Sequence, residues 1–290
     1  MVSRNTLTTA GGAVLMLAAL AACAPADENT TAAPSASASG NNCPAGALQT
    51  KTAGKLTIGT DNPVYEPWFS DNKPSNGKGF ESAVAYQVAQ RLGYSAENVT
   101  WVSVTFNNAI APGPKSFDFD INEFSITDDR KKAVDFSSPY YLVRQTVITT
   151  KGSKIAGAKS IADLQNAKLG AQVGTTSYQA ITDVIKPTVK PSVFNNNDDA
   201  KAALVNGTVD GIVVDLPTAF YMTAAELKNG MIVGQLPQVG VPEQFGLVLD
   251  KGSPLTGCVS TAVDQLRNDG TLTVLEKTWL AQTGGAPELQ

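Results

Sequence analysis

The chain of 290 residues contains no histidine. This absence excludes Ser-His-Asp and Cys-His catalysis and every metal site that depends on imidazole ligands. The sequence also lacks a G-x-x-x-x-G-K-[ST] loop and a G-x-G-x-x-G turn, the two glycine-rich patterns that hold nucleotide phosphates. We therefore predict neither a cofactor nor a bound metal.

An excess of positive charge is also absent. The formal net charge is −4 at pH 7, and it becomes −5 when Arg4 is removed with the leader described below. An acidic chain with charges of both signs spread along it is a poor partner for nucleic acid. We predict no nucleic-acid partner, and we expect a monomer.

Long apolar runs are absent apart from one near the start. Residues 10–22 are mostly apolar but too few to span a bilayer, and 1–22 have the form of a signal peptide. The run ends in Leu-Ala-Ala-Cys, which resembles the bacterial lipoprotein cleavage box. Cys23 is therefore predicted to carry acyl chains such as palmitate that anchor the protein to the membrane. The alternative is an ordinary secretory signal with an incidental cysteine.

Cysteine is scarce, with three in the chain. Residues 23–42 are rich in Ala, Ser, Thr and Asn and predict a disordered tether, so the folded part begins near Cys43. If Cys23 is lipidated, Cys43 and Cys258 remain as a pair in an oxidising compartment, where they are expected to form a disulfide. Two buried free thiols are the alternative.

Strand and helix patterns alternate along the rest of the chain. Apolar stretches predict strands at 55–61, 99–106, 117–126, 146–152, 168–174, 208–215 and 244–250. Helical periodicity is found at 79–93, 175–185, 198–207, 254–269 and 271–281. The alternation predicts an α/β fold with a mostly parallel sheet flanked by helices. In such sheets, ligands bind at the C-terminal ends of strands and at helix N-termini.

The stretch SITDDRKKAVDFSSPYY, residues 125–141, places one arginine in the first turn of a short predicted helix. Thr127 can cap that helix, and the two aspartates that follow suit its positive end. The positive charge of Arg130 is mildly unfavourable in this turn, because it lies near the positive end of the helix dipole. A guanidinium in this position can bind a carboxylate through two hydrogen bonds. The alternative is a surface ion pair with one of the aspartates.

Two other groups follow predicted strands. Thr175 and Thr176 open a helix directly after Gly174, where free backbone N–H groups can bind an anion, although an ordinary threonine cap explains the same pattern. Asp215 ends a strand and can either accept an ammonium or cap the next helix. Together with Arg130, these groups fit the main-chain end of a free α-amino acid.

Six motifs follow one another along the chain: GTDNPVYEPW, KGFESAVAYQVAQRLG, FSITDDRKKAVDFSSPYY, QVGTTSYQ, GTVDGIVVDLPTA and LRNDGTLTVLEKTWL. In this order and spacing they resemble family 3 of the bacterial extracellular solute-binding proteins, the receptors of polar amino-acid ABC importers. The third is the most specific, because it resembles the family signature [ST]-I-T-x-x-R-x-x-x-V-x-F-S-x-P-Y. The resemblance covers about residues 55–280.

The resemblance implies a two-lobed periplasmic-binding-protein fold. The first lobe would hold 44–143 and 241–285 and the second 144–240, with chain crossings near 142–148 and 236–244 as the hinge. It implies capture of a free polar amino acid outside the cytoplasm and delivery to ABC permease subunits after the lobes close. The predicted lipid anchor suits a cell with one membrane, as in Gram-positive bacteria, because a free binding protein would diffuse away.

The resemblance also implies roles for single residues. Arg130 matches the arginine that holds the ligand α-carboxylate, and Thr176, next to Thr175, matches a second-lobe donor to the same group. Asp215 matches the acid that accepts the α-ammonium. Ser125 matches a first-lobe polar residue that contacts the α-ammonium or the α-carboxylate of the ligand.

Three further positions match the residues around the ligand side chain. Tyr65 and Trp68 match an aromatic pair beside it, and Asp61 matches a position that contacts long side chains in some members.

One position departs from the family pattern. Members usually have small residues before the [ST]-I-T segment, whereas this chain has Glu123. If 117–126 alternates as a strand, Glu123 shares the face of Ser125 and points into the cleft. A buried carboxylate needs a cationic partner, so we expect a basic amino acid (lysine, ornithine or arginine) or glutamine as ligand. The alternative is a pair between Glu123 and a lysine or arginine of the protein.

Two other functions are considered. Some relatives on this scaffold dehydrate cyclic hydroxy acids, and Glu123 with a raised pKa would then act as general acid on arogenate or prephenate. The amino-acid clamp and the predicted lipid anchor argue against an enzyme. A ligand-sensing module would need a separate membrane partner.

Overall fold

The structure is a computed structural model that describes residues 43–238, 240–280 and 285–290. The predicted signal peptide, the lipidation site Cys23 and the tether of 23–42 lie outside the described residues. Across the described ranges, no helix combines the length and the apolar character that a membrane crossing requires.

The described residues form two five-stranded sheets and one two-stranded ribbon. The strands are β1 (Leu56–Thr60), β2 (Val99–Ser103), β3 (Phe119–Asp120), β4 (Asp135–Phe136), β5 (Tyr141–Leu142), β6 (Gln145–Thr150), β7 (Leu169–Gln172), β8 (Ser192–Phe194), β9 (Gly211–Asp215), β10 (Gly230–Gln235), β11 (Gln244–Phe245) and β12 (Val248–Leu249). The α-helices are α1 (Phe80–Arg91), α2 (Phe106–Ile110), α3 (Asp128–Ala133), α4 (Thr176–Ala180), α5 (Asn197–Val205), α6 (Leu216–Tyr221), α7 (Thr256–Asn268) and α8 (Thr271–Trp279).

Each sheet defines one lobe. The first lobe has the strand order β2-β1-β3-β12-β4 and the second has β10-β6-β9-β7-β8, while β5 and β11 pair between them. The sheets are mixed, which corrects the expectation of mostly parallel pairing. Strands β6 and β12 each enter a sheet directly after a chain crossing, and they run antiparallel to their neighbours.

Apolar side chains fill both lobes. In the first lobe, α1 and α7 pack against the sheet, and Ile58, Phe80 and Val263 are fully buried there. In the second lobe the sheet separates two apolar clusters, one on each face. This arrangement follows from strands that bury both faces under helices.

The predicted strand over 117–126 is much shorter than expected. Only β3 is a strand, and Glu123 has a φ of 54°, in the left-handed region. This turn breaks the alternation of side chains. Phe124 is fully buried in the first lobe, and Asn122 and Glu123 both line the cavity, so Glu123 faces the cleft although the strand on which that expectation depended is absent.

The predicted partners Cys43 and Cys258 are joined by a disulfide, with their sulfur atoms 2.05 Å apart. The bond ties the start of the described chain to α7, across a sequence separation of 215 residues. Both cysteines lie at the apolar core of the first lobe.

The last residues return to the second lobe. The N–H of Gln235 donates to the carbonyl of Pro287 at 2.7 Å, and the N–H of Leu289 donates to the carbonyl of Gln235 at 2.9 Å. Glu288 pairs with Arg144 at 2.5 Å, and Leu289 is 2% exposed within a second-lobe core cluster. No helix or strand was predicted for this tail from the sequence.

We expect Leu289→Ala to destabilise the protein by about 2–4 kcal/mol, the usual range for a buried leucine truncated to alanine. For a protein of this size, each kcal/mol lowers Tm by about 2–4 °C. Leu142→Ala is the matched control, because Leu142 is 61% exposed. Thermal unfolding of the two variants compares them directly, and equal Tm values would mean that the tail does not pack stably.

Candidate functional site

Arg130 is buried at the start of α3, with only 8% of its surface exposed. Thr127 caps the helix and accepts a hydrogen bond from the backbone N–H of Arg130 at 3.2 Å. The two aspartates of the first turn pair instead with the two lysines that follow. A surface ion pair therefore does not explain Arg130.

The guanidinium of Arg130 connects the two lobes. Its Nη1 donates to the carbonyl of Ser125 at 2.7 Å in the first lobe, and its Nη2 donates to the carbonyl of Gly174 at 3.0 Å in the second. The Phe106 ring lies against it, with 5.3 Å between the guanidinium carbon and the ring centre. Burial lowers the pKa of Arg130 to about 10, although the nearby Glu243 carboxylate opposes this shift.

A polar cavity lies between the lobes. Its lining residues come from both: Asp61, Pro63, Tyr65, Phe106, Asn122, Glu123, Gln172, Thr175, Thr176, Ser177, Asn197, Val214 and Asp215. Six of the residues singled out from the sequence are in this set. Arg130, Ser125 and Trp68 are buried and are not in this set.

Trp68 differs most from its predicted place. It is fully buried in the first-lobe core, edge-on to Phe80 and Tyr141. Its indole N–H donates across the cleft to Thr218 Oγ1 at 2.8 Å. The ring fills the core because it is large and apolar, and its one polar atom still finds a partner. Tyr65, in contrast, lines the cavity.

Thr175 and Thr176 have different contacts. The Thr175 hydroxyl accepts from the N–H of Tyr178 at 3.2 Å, so Thr175 caps α4 as the simpler alternative supposed. The Thr176 hydroxyl lies 3.1 Å from the Ser125 hydroxyl across the cleft. Both threonines line the cavity, at the N-terminus of a helix.

Asp215 ends β9 without capping α6 through its side chain. Its Oδ1 accepts from Gln145 Nε2 at 2.7 Å. Burial, followed by repulsion from Glu243, raises the pKa of Asp215 to about 8.

Glu123 shares this acidic environment. Its Oε2 accepts from the Thr218 hydroxyl at 3.2 Å. Burial, then the carboxyl groups of Asp215 and Glu81, raise the pKa of Glu123 well above its usual range. In the part of the chain that the structure describes, no lysine or arginine forms an ion pair with it, which contradicts the alternative of a protein cation.

Sequence analysis did not single out Glu81. This side chain has no exposed surface, and its Oε1 accepts from the Tyr140 hydroxyl and, at 2.7 Å, from the N–H of Glu123. Burial raises the pKa of Glu81 to about 7. The only available signal was its place in the motif KGFESAVAYQVAQRLG, which does not indicate that the side chain is buried.

Glu243 and Gln145 were also missed. Gln145 Nε2 is 3.1 Å from both carboxylate oxygens of Glu243, and the Ser125 hydroxyl donates to Glu243 Oε1 at 2.6 Å. Glu243 lies in the second chain crossing, so its carboxylate sits at the hinge end of the cleft. Its partners are 98 and 118 residues away in sequence, and no local pattern could have predicted these contacts.

Two α/β lobes, joined by a short ribbon and separated by a polar cleft, define the class of two-lobed binding proteins. The sequence matches the family described as bacterial extracellular solute-binding proteins, family 3, over residues 56–282. The chain belongs to this family.

Relatives of the chain bind amino acids. A glutamine-binding protein of an ABC transporter from Bacillus subtilis is 29% identical over 219 residues, which cover 74% of this chain and 77% of that protein. An ancestral arginine-binding protein bound to arginine is 33% identical with a TM-score of 0.65, covering 78% of this chain and 97% of the other. An ancestral amino-acid-binding protein, a precursor of cyclohexadienyl dehydratase, is 34% identical with a TM-score of 0.64, covering 78% and 95%.

The raised pKa of Glu81 predicts a pH-dependent stability. Its protonated form stabilises the fold, and this contribution is lost as pH rises from about 4.5 in the unfolded chain towards about 7 in the folded protein. The loss amounts to at most about 1.4 kcal/mol per pH unit. We therefore expect Glu81→Gln to lose less stability than the wild type between pH 5 and 8.

Thermal unfolding at several pH values measures this difference. Glu97→Gln is the control, because Glu97 is exposed, and its curve should follow the wild type. If the stability of Glu81→Gln and that of the wild type fell in parallel with pH, this would contradict the raised pKa of Glu81.

Proposed function

We propose that this protein captures a free amino acid outside the cytoplasm and delivers it to the membrane subunits of an ABC importer. The observation that carries the proposal is the pairing of unlike charges at one cleft. Buried Arg130 bonds to both lobes, and half-buried Asp215 lines the cavity between them. Free α-amino acids carry the two complementary charges, and membership of the family supports the same function.

The ligand α-carboxylate would bind Arg130 and the Thr176 hydroxyl. The Nη2 of Arg130 now donates to the neutral carbonyl of Gly174. An ionised carboxylate accepts stronger, charge-assisted hydrogen bonds from a guanidinium than a carbonyl does. We therefore expect the carboxylate to displace that carbonyl. The α-ammonium would then bind Asp215, which lines the cavity from the second lobe.

The charge of the cavity favours a basic amino acid or glutamine. Asp61, Glu123 and Asp215 line it, and no lysine or arginine is among its described lining residues. An acidic ligand side chain would be repelled here, whereas a cationic one would be attracted. Relatives named for glutamine and arginine support the same classes.

Delivery would take place at the outer face of the cell membrane. A lipid on Cys23 would hold the protein there, and residues 23–42 would give the domain reach towards the permease. We expect a Gram-positive source and a monomer.

A dehydratase is the second candidate. Asp215 and Glu123 have raised pKa values that suit a general acid, and one similar structure is a precursor of cyclohexadienyl dehydratase. A dehydratase function requires that the protein turn over arogenate or prephenate. The family relatives are binding proteins, which favours the first proposal.

Thermal unfolding against a panel of free amino acids tests the substrate class. A ligand at about a hundred times its Kd adds roughly 2.7 kcal/mol, which corresponds to a rise of roughly 5–10 °C in Tm. We expect this rise with arginine, lysine, ornithine or glutamine, and no rise with glutamate or aspartate. A preference for the acidic pair would contradict the charge argument, and no response to any amino acid would direct attention to the dehydratase assay.

Arg130→Ala tests the carboxylate clamp. We expect the variant to lose the thermal shift, because truncation removes the cation that the α-carboxylate binds. Arg91→Ala is the control, since Arg91 lies on α1 and pairs with Asp269 away from the cleft. Isothermal titration of both variants measures Kd, and retention of wild-type affinity by Arg130→Ala would refute the clamp.

A further inference from the structure

The hydroxyl group of Thr218 lies between two polar groups of the first lobe. Trp68 Nε1 donates to Thr218 Oγ1 at 2.8 Å, and Thr218 Oγ1 donates to Glu123 Oε2 at 3.2 Å. A hydroxyl group has one hydrogen and two acceptor lone pairs, so it can make both bonds at once. Because Thr218 belongs to α6 of the second lobe, the three residues form a bridge across the cleft, which we call the Thr218 bridge.

The bridge is shielded from water. The side chain of Trp68 has no exposed surface, and Thr218 is 2% exposed. A buried N–H group that loses its acceptor cannot turn to water while the lobes remain in contact, and this carries a cost in free energy. The hydroxyl of Thr218 removes that cost, so the bridge favours the arrangement in which the two lobes touch.

The backbone fixes both sides of the bridge. In the first lobe, Glu123 has a φ of 54°, which is uncommon for a residue other than glycine, and its N–H donates to Glu81 Oε1 at 2.7 Å. In the second lobe, α6 follows Asp215 directly and has Pro217 in its first turn. The same turn therefore carries Thr218 and follows the acid proposed to bind the ligand ammonium.

The bridge does not use the groups proposed to bind the main chain of the ligand. The bond from Arg130 to the carbonyl of Gly174 also crosses the cleft, but the proposed carboxylate contact would displace it. Neither Trp68 nor Thr218 is among the described lining residues of the cavity. The Thr218 bridge can therefore stay intact while a ligand is bound.

We propose that Trp68 and Thr218 are positioning residues for amino-acid capture, because the Thr218 bridge stabilises contact between the lobes and orients the carboxyl group of Glu123. The inference rests on the proposed capture of an amino acid. Thr218 binds Oε2 of Glu123 and leaves Oε1 for a donor group of the ligand side chain. Closure of the lobes and recognition of the side chain then depend on the same hydroxyl group.

Substitution of Thr218 tests the bridge, with L-arginine and L-glutamine as probes. Thr218→Val keeps the shape of the side chain but leaves the N–H of Trp68 without an acceptor, so we expect Kd to rise about tenfold. Thr218→Ser keeps the hydroxyl group, and its Kd should stay within about threefold of the wild type. Isothermal titration measures Kd for each variant.

A double variant tests whether Trp68 and Thr218 act through one bond. Trp68→Phe keeps an aromatic ring and removes the N–H. Combined with Thr218→Val, it should bind no more weakly than Thr218→Val alone, because both changes remove the same bond. Trp101→Phe and Thr223→Val are the matched controls, since the side-chain hydrogen bonds of these residues stay within one lobe. Their Kd values should equal that of the wild type.

The outcomes separate the bridge from the function on which it rests. Wild-type affinity in Thr218→Val, or effects of the two changes that multiply in the double variant, would refute the bridge and leave amino-acid capture intact. If neither probe binds the wild type, the proposed substrate class fails, and small-angle X-ray scattering without ligand decides on the bridge. We expect a larger radius of gyration for Thr218→Val than for the wild type and Thr218→Ser, and equal radii would overturn the proposal.

Discussion

The high cost of burying carboxyl groups governs the cleft of this protein. Glu81, Glu123 and Asp215 lie in a space shared by two lobes, where water cannot fully solvate a negative charge. Each must be protonated, hydrogen-bonded or matched by a cation. Burial without any of these would destabilise the fold, so the neutral donors around the site are as important as the acids themselves.

Polar contacts join the lobes across the cleft. They include bonds from Arg130 to Gly174 and from Trp68 to Thr218. Such bonds contribute only about 1 kcal/mol each, because water competes for the same groups when the lobes separate. A joint of this kind can close and open again, whereas an apolar interface of the same area would favour one state. Reversible closure is what a carrier of small solutes requires.

Much of the fold could be predicted because it depends on local patterns. The strand β1, the helix α1 and the cap at Thr127 each follow from neighbouring residues. The break at Glu123 could not be predicted, since a left-handed residue in an alternating stretch leaves no local signal. The same holds for Glu243, whose role arises from partners brought together by folding. The family resemblance supplied residue roles, which stay predictions, but it gave no indication that Trp68 is fully buried by core packing.

The two ends of the described chain are held by different lobes, because residues 285–290 return to the second lobe. Cys43, the first described residue, is fixed to the first lobe through Cys258, while Gln290 bonds to Ile161 in the second lobe. The two ends of the folded chain therefore belong to different lobes. A fluorescent donor at one end and an acceptor at the other would change separation whenever the lobes rotate. The protein thus has its attachment points already arranged for an optical test of the proposed lobe closure.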